Sequence, residues 1–81
     1  SPLLASQINA RGFTKLTGLL RRFPDNEDAI DELYVMILSR EPSDREIKIA
    51  TDYLAEVGNR EEAFEDLMWS LLNSSEFLSK R

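Results

Sequence analysis

One run of apolar side chains constrains this chain more than any other feature. Ile30, Leu33, Tyr34, Ile37 and Leu38 fall at i, i+3, i+4, i+7 and i+8, the spacing that lines up on one face of an α-helix and scatters over both faces of a strand. Asp25 and Asn26 precede the run as N-cap residues, and Glu27 and Asp28 place negative charge in its first turn, where the helix dipole favours it. Val35 and Met36 lie off the stripe, so this helix is expected to be apolar on more than one side and to be the central, most buried element. Its expected span is Asp25–Arg40, with Pro42 as the stop and Glu41 pushed out of helical geometry by the proline.

The same grammar continues downstream. Ser43-Asp44-Arg45-Glu46 has the form of a capping box, in which the serine hydroxyl and the glutamate carboxylate each satisfy the other's backbone amide. Behind it Ile47, Ala50, Leu54 and Val57 keep helical spacing, and Ile49 and Tyr53 widen the stripe. Gly58 is the natural residue to end this helix in the left-handed conformation. Asn59 caps the next one, along which Ala63, Phe64, Leu67, Met68, Leu71 and Leu72 recur by threes and fours, with Asn73 or Ser74 closing it. A short last turn, Ser75 to Ser79, is expected to carry Phe77 and Leu78 onto the core. Upstream, Leu3, Leu4 and Ile8 point to one short helix, and Phe13, Leu16, Leu19, Leu20 and Phe23 to a second, weakened by Gly12 and Gly18. No segment alternates apolar and polar residues as a half-buried strand does. The expectation is all-α: a compact bundle of four to five short helices joined by short loops.

Eighty-one residues make one modest core, burying roughly 60–65 % of the unfolded surface. The expected organisation is a single helical domain over 1–81, with a basic helical segment at 1–24 and a three-helix core with a short C-terminal turn at 25–81. Residues 1–24 carry four bases and no acid, a charge of +4, whereas 25–81 carry six bases and 15 acids, a charge of −9. Such asymmetry fits a basic helix docked on an acidic body, and it also fits a basic amphipathic arm for an anionic membrane or nucleic acid. The opening Ser1-Pro2, without an initiator methionine, reads as a piece excised from a larger protein. No stretch reaches the ~20 apolar residues of a membrane span.

Chemistry is bounded by what is missing. With no histidine and no cysteine, the chain has no thiolate nucleophile, His-based dyad, Cys/His zinc site or axial His for haem. The three glycines stand alone, so no phosphate cradle is present. No enzymatic activity, cofactor or metal is expected.

A family resemblance rests on the run Glu32-Leu33-Tyr34, Leu38-Ser39-Arg40-Glu41-Pro42-Ser43, Tyr53-Leu54-Ala55, Gly58-Asn59-Arg60-Glu61-Glu62-Ala63 and Glu65-Asp66-Leu67-Met68-Trp69-Ser70-Leu71-Leu72-Asn73-Ser74-Ser75-Glu76-Phe77-Leu78. From Ile30 to Leu78 the chain resembles the C-terminal end of the planctomycete-type domain of unknown function, which lies at the end of large bacterial proteins that often carry cytochrome-c-like segments. The resemblance implies a helical terminal module without an established activity, in an exported or cell-envelope protein, whose partners are other domains of the parent or another protein. This chain has no Cys-x-x-Cys-His motif, so a haem role of the parent does not reside in it.

Several residues are candidates for more than bulk folding. Arg40, in the expected last turn of the central helix, suits the helix C-terminus, and the shared pattern pairs it with Glu76 as a structural ion pair. Trp69, beside the apolar face of its helix, is read as core, with an exposed anchor for another protein as the alternative. Arg11, Lys15, Arg21 and Arg22 interleave with apolar residues and form a candidate partner-contact stripe; they lack the asparagine or glutamine arrangement of a base-reading helix, so no nucleic acid is expected. Glu61, Glu62, Glu65 and Asp66 form an acidic patch, read as complement to a helix N-terminus because the spacing of a calcium loop is absent. The expected role is that of a non-catalytic accessory or protein-interaction module. The alternatives are an N-terminal helix that binds an anionic surface, and a piece that completes a catalytic domain upstream in the parent.

Overall fold

The computed structural model of the chain describes residues 14–79, and every regular element among them is helical. Helix α1 covers 14–22 of the described residues; α2 is Asn26–Leu38, α3 Asp44–Val57, α4 Arg60–Leu72 and α5 Ser75–Ser79. The chain forms the all-α bundle that the spacing calls for. Arg11, the expected helix over Leu3, Leu4 and Ile8, and the terminal Lys80 and Arg81 lie outside the described residues.

Helices α2, α3 and α4 each begin where a side chain takes up an orphan backbone amide. Asp25 accepts from the amide of Asp28 at 3.1 Å, Ser43 from Glu46 at 3.2 Å, and Asn59 from Glu62 at 2.9 Å. The capping box of α3 is complete, since Glu46 answers with an acceptor for the Ser43 amide at 2.8 Å. Gly58 closes α3 at φ 75°, a conformation that costs glycine little and any other residue more.

Helix α2 lies at the centre and touches α3, α4 and α5. Its stripe of Ile30, Leu33, Tyr34, Ile37 and Leu38, joined by Ala29, is buried throughout. Helix α1 sends Leu16, Leu19 and Leu20 into the same core, and α4 adds Ala63, Phe64, Met68 and Leu71. Helix α3 buries only Ala50 and Leu54, as an outer, strongly amphipathic helix does.

Four expectations need correction. Helix α2 ends at Leu38 rather than Arg40, because Ser39 turns left-handed (φ 60°) and its amide closes onto Val35; Arg40 therefore lies outside the helix, two residues before the proline. Val35 and Met36 are about 40 % exposed (42 % and 40 %), so α2 is central without being apolar all round. Ile49 is 58 % exposed, since it precedes Ala50 by one residue and so points about 100° away from the buried stripe. Leu78 is 56 % exposed, and of the last turn it is Phe77 that packs on the core.

Candidate functional site

The two most connected polar side chains are arginines at the two ends of α2. The left-handed turn at Ser39 throws Arg40 across the junction between α2 and α3, where five acceptors meet it. Its Nε donates to Glu76 Oε2 at 2.7 Å and its Nη2 to Glu76 Oε1 at 2.9 Å. On the other side Nη1 and Nη2 donate to Glu46 Oε1 and Oε2, both at 2.9 Å. The second Nη1 hydrogen goes to the carbonyl of Glu41 at 3.0 Å. A guanidinium has five N–H donors, and here all five are used. The group also lies 5.6 Å above the centroid of the Tyr34 ring, within cation–π range.

One cation between two carboxylates leaves the cluster with a charge of −1, and the titrations respond. The hydrogen bonds from Arg40 hold the Glu46 carboxyl down to about 2, with the Ser43 amide adding to the effect. The same bonds to Glu46 and Glu76 raise Arg40 above its already high value. Burial, and then the Glu46 charge, push the Tyr34 hydroxyl up. The side chains of Arg40, Glu46 and Glu76 are still 36 %, 31 % and 38 % exposed, so this is a screened edge cluster and not a buried reaction centre.

Arg60 does the corresponding work at the other end of α2. Its Nε donates to Asn26 Oδ1 at 2.6 Å and its Nη1 to the Leu20 carbonyl at 3.1 Å, while Nη2 donates to the Phe23 carbonyl. Those two carbonyls lie in the last turn of α1 and just past its end, where no intrahelical donors remain for them. The guanidinium also stacks 5.5 Å from the centroid of Phe64. A single residue at the start of α4 thus fastens the end of α1 and the start of α2.

The remaining sequence candidates are dispersed. Lys15, Arg21 and Arg22 are exposed on α1, and Arg22 lies 5.9 Å from the Phe23 ring. Arg21 joins Thr17, Arg60, Glu61 and Glu65 around a shallow groove of about 210 Å³ between α1 and α4, floored by Leu16 and Leu20. Trp69, expected in the core, is instead half-buried and is not among the residues that form the core or pack against it. The acidic patch does not gather into a metal site: Glu61 and Glu65 border the groove, and Asp66 accepts from the Tyr53 hydroxyl at 2.6 Å. That bond to Asp66 is the main reason the Tyr53 hydroxyl is raised. Among the described residues, no group of three acids is placed to hold a metal ion, no polar or charged side chain is fully buried, and no helix is long and apolar enough to cross a membrane.

The structure therefore brings Arg40 and Glu76 together, adds Glu46 to them, and leaves Trp69 and the basic stripe apart from that cluster. The sequence reading left out Glu46 as a partner of Arg40 and gave Arg60 no role. No family model, curated protein or solved structure matches this chain.

Proposed function

We propose that this domain is a non-catalytic helical accessory module, the end piece of a larger bacterial protein, which acts through contact with other domains of that protein or with another protein. The observation that carries the reading is the saturation of Arg40. The arginine that two carboxylates surround spends all five donors within the fold. Catalytic groups draw their perturbed pKa values from burial in a cleft, and the ionisable cluster here is an open edge built to join α2, α3 and α5. The resemblance of Ile30–Leu78 to the planctomycete-type domain supports the terminal position and an exported or cell-envelope setting. A reading in which α1 lies on an anionic surface needs the apolar face of that helix, and Leu16, Leu19 and Leu20 are enclosed in the core.

Amine-reactive cross-linking of the full-length gene product in its own cells tests the proposal, using the exposed Lys15 and Lys48. Cross-links from these lysines to residues outside this chain are the expected result. Cross-links confined to the chain itself would reject a contact role.

A further inference from the structure

Helix α5 is attached differently from the rest of the bundle. None of its five residues is fully buried. It touches α2 and α4, and its anchors include the two bonds from Arg40 to Glu76 and the packing of half-buried Phe77 on the core. The local chain does little to keep it folded back. Asn73, between α4 and α5, has φ −95° and ψ 4°, a short step from helical dihedrals. Neither glycine nor proline occurs from Leu72 to Ser75. Opposing a continuous helix are neutral caps of ordinary strength: Asn73 Nδ2 on the Trp69 carbonyl at 2.8 Å, Ser74 Oγ on the Leu71 carbonyl at 2.7 Å, and the Phe77 amide on Ser74 Oγ at 3.2 Å.

The grip of Arg40 on Glu46 is independent of α5. It uses a different pair of guanidinium hydrogens, and Glu46 is also held by the Ser43 amide. Losing Glu76 would leave the α2–α3 junction standing and would free Nε–H and one Nη2–H, the side-on fork that fits a carboxylate. The groups facing that fork are Tyr34 on α2, Glu46 on α3 and Glu76 on α5.

We propose that α5 is a latch. It releases as a unit by continuing α4 into one longer helix, while α1 to α4 stay folded, and its departure uncovers the outer fork of Arg40.

Carbon shifts and ring contacts read by NMR on the whole chain test this, with Glu76→Gln as the variant. Release keeps the amides of Phe77 and Leu78 in helical bonds, so the readouts are Asn73, Ser74 and the Phe77 ring. In Glu76→Gln the ratio of released to latched tail should rise about fivefold, the size expected for loss of an exposed ion pair. The Asn73 and Ser74 carbon shifts should move toward helical values and the contacts of the Phe77 ring with the core should weaken, while the amides of Leu33 and Phe64 keep their protection from hydrogen exchange. Shifts and ring contacts indifferent to the substitution would overturn the proposal. So would loss of protection at Leu33 and Phe64 together with the tail, or loss of helical shifts at Phe77 and Leu78 as the tail leaves. A salt series on the unmodified chain gives a second measurement without mutation: 0.5 M salt should produce the same changes in the tail alone, and equal loosening of the core, or no change in the tail, would again refute the latch.

Discussion

Glu46→Gln separates the charge of the Arg40 cluster from its hydrogen bonding. Glutamine is accepted at the third position of a capping box, so its amide oxygen can still take the Ser43 amide, and one donor from Arg40 keeps a partner. What is lost is the negative charge facing the guanidinium. The Glu46 carboxyl sits at about 2 in the folded chain against a usual 4.5. In a dry site that depression would correspond to about 3 kcal/mol. With the Glu46 and Arg40 side chains 31 % and 36 % exposed, screening reduces it to about 1 kcal/mol. The sign follows from a folded carboxyl held below its unfolded value. The stabilisation is fully present above about pH 4.5 and is lost as the pH falls toward 2. Thermal unfolding followed by circular dichroism should place Glu46→Gln about 4–8 °C below the unmodified chain at pH 7. The two melting temperatures should converge near pH 2. A gap that persists unchanged at pH 2 would show that the loss is steric and not ionic. No gap at pH 7 would show that the pair contributes nothing despite its geometry.

Other perturbations address the remaining joints. Leu16→Ala, at a position 2 % exposed, should cost about 2–5 kcal/mol in urea unfolding, and an unchanged midpoint would mean that α1 is a detached arm. Arg60→Lys should cost about 1–2 kcal/mol, because one ammonium cannot span the acceptors on Leu20, Phe23 and Asn26; full stability in the lysine variant would deny the clamp. Gly18→Ala and Gly58→Ala should move in opposite directions by about 1 kcal/mol each. An added Cβ meets nothing within 4 Å at either site, yet Gly18 lies inside a helix while Gly58 holds a positive φ. Chemical denaturation of the pair side by side checks this, and a shared sign would refute it.

What could be read in advance was whatever depends on neighbours three or four residues apart. The stripe from Ile30 to Leu38, the box from Ser43 to Glu46 and the cap at Gly58 are local devices, and all stand where the residue types place them. Misplaced features turn on dihedrals or contacts that residue type does not encode. Nothing about serine announces φ 60° at position 39, yet that turn decides that Arg40 leaves α2 and meets Glu46. One signal was present: Arg40 lies within a connection of only five residues, 39–43, and Glu46 in the first turn after it, and a tight connection brings the end of one helix beside the start of the next. Arg60 had no such signal, because two of its acceptors are backbone carbonyls of Leu20 and Phe23, which every residue carries.

The two arginines answer a problem set by chain length. A domain of this size owns a thin core, and this one has neither disulfide nor metal-binding cysteine or histidine to reinforce it. The core holds the helices side by side through non-directional burial, which does little to fix where each helix ends. The ends are fixed by directional groups instead. Arg60 fastens α1, α2 and α4 where α2 begins, and Arg40 fastens α2, α3 and α5 just past the point where it ends. Thirteen residues of α2, at 1.5 Å each, set these clamps about 20 Å apart, so each constrains a different set of loops. They differ in what they grip. Arg60 holds backbone carbonyls and an amide oxygen, acceptors that do not titrate. Arg40 holds two carboxylates, which respond to acid and salt. The Arg60 end should therefore stay closed under conditions that loosen the Arg40 end, and α5 is the element that hangs from the responsive clamp.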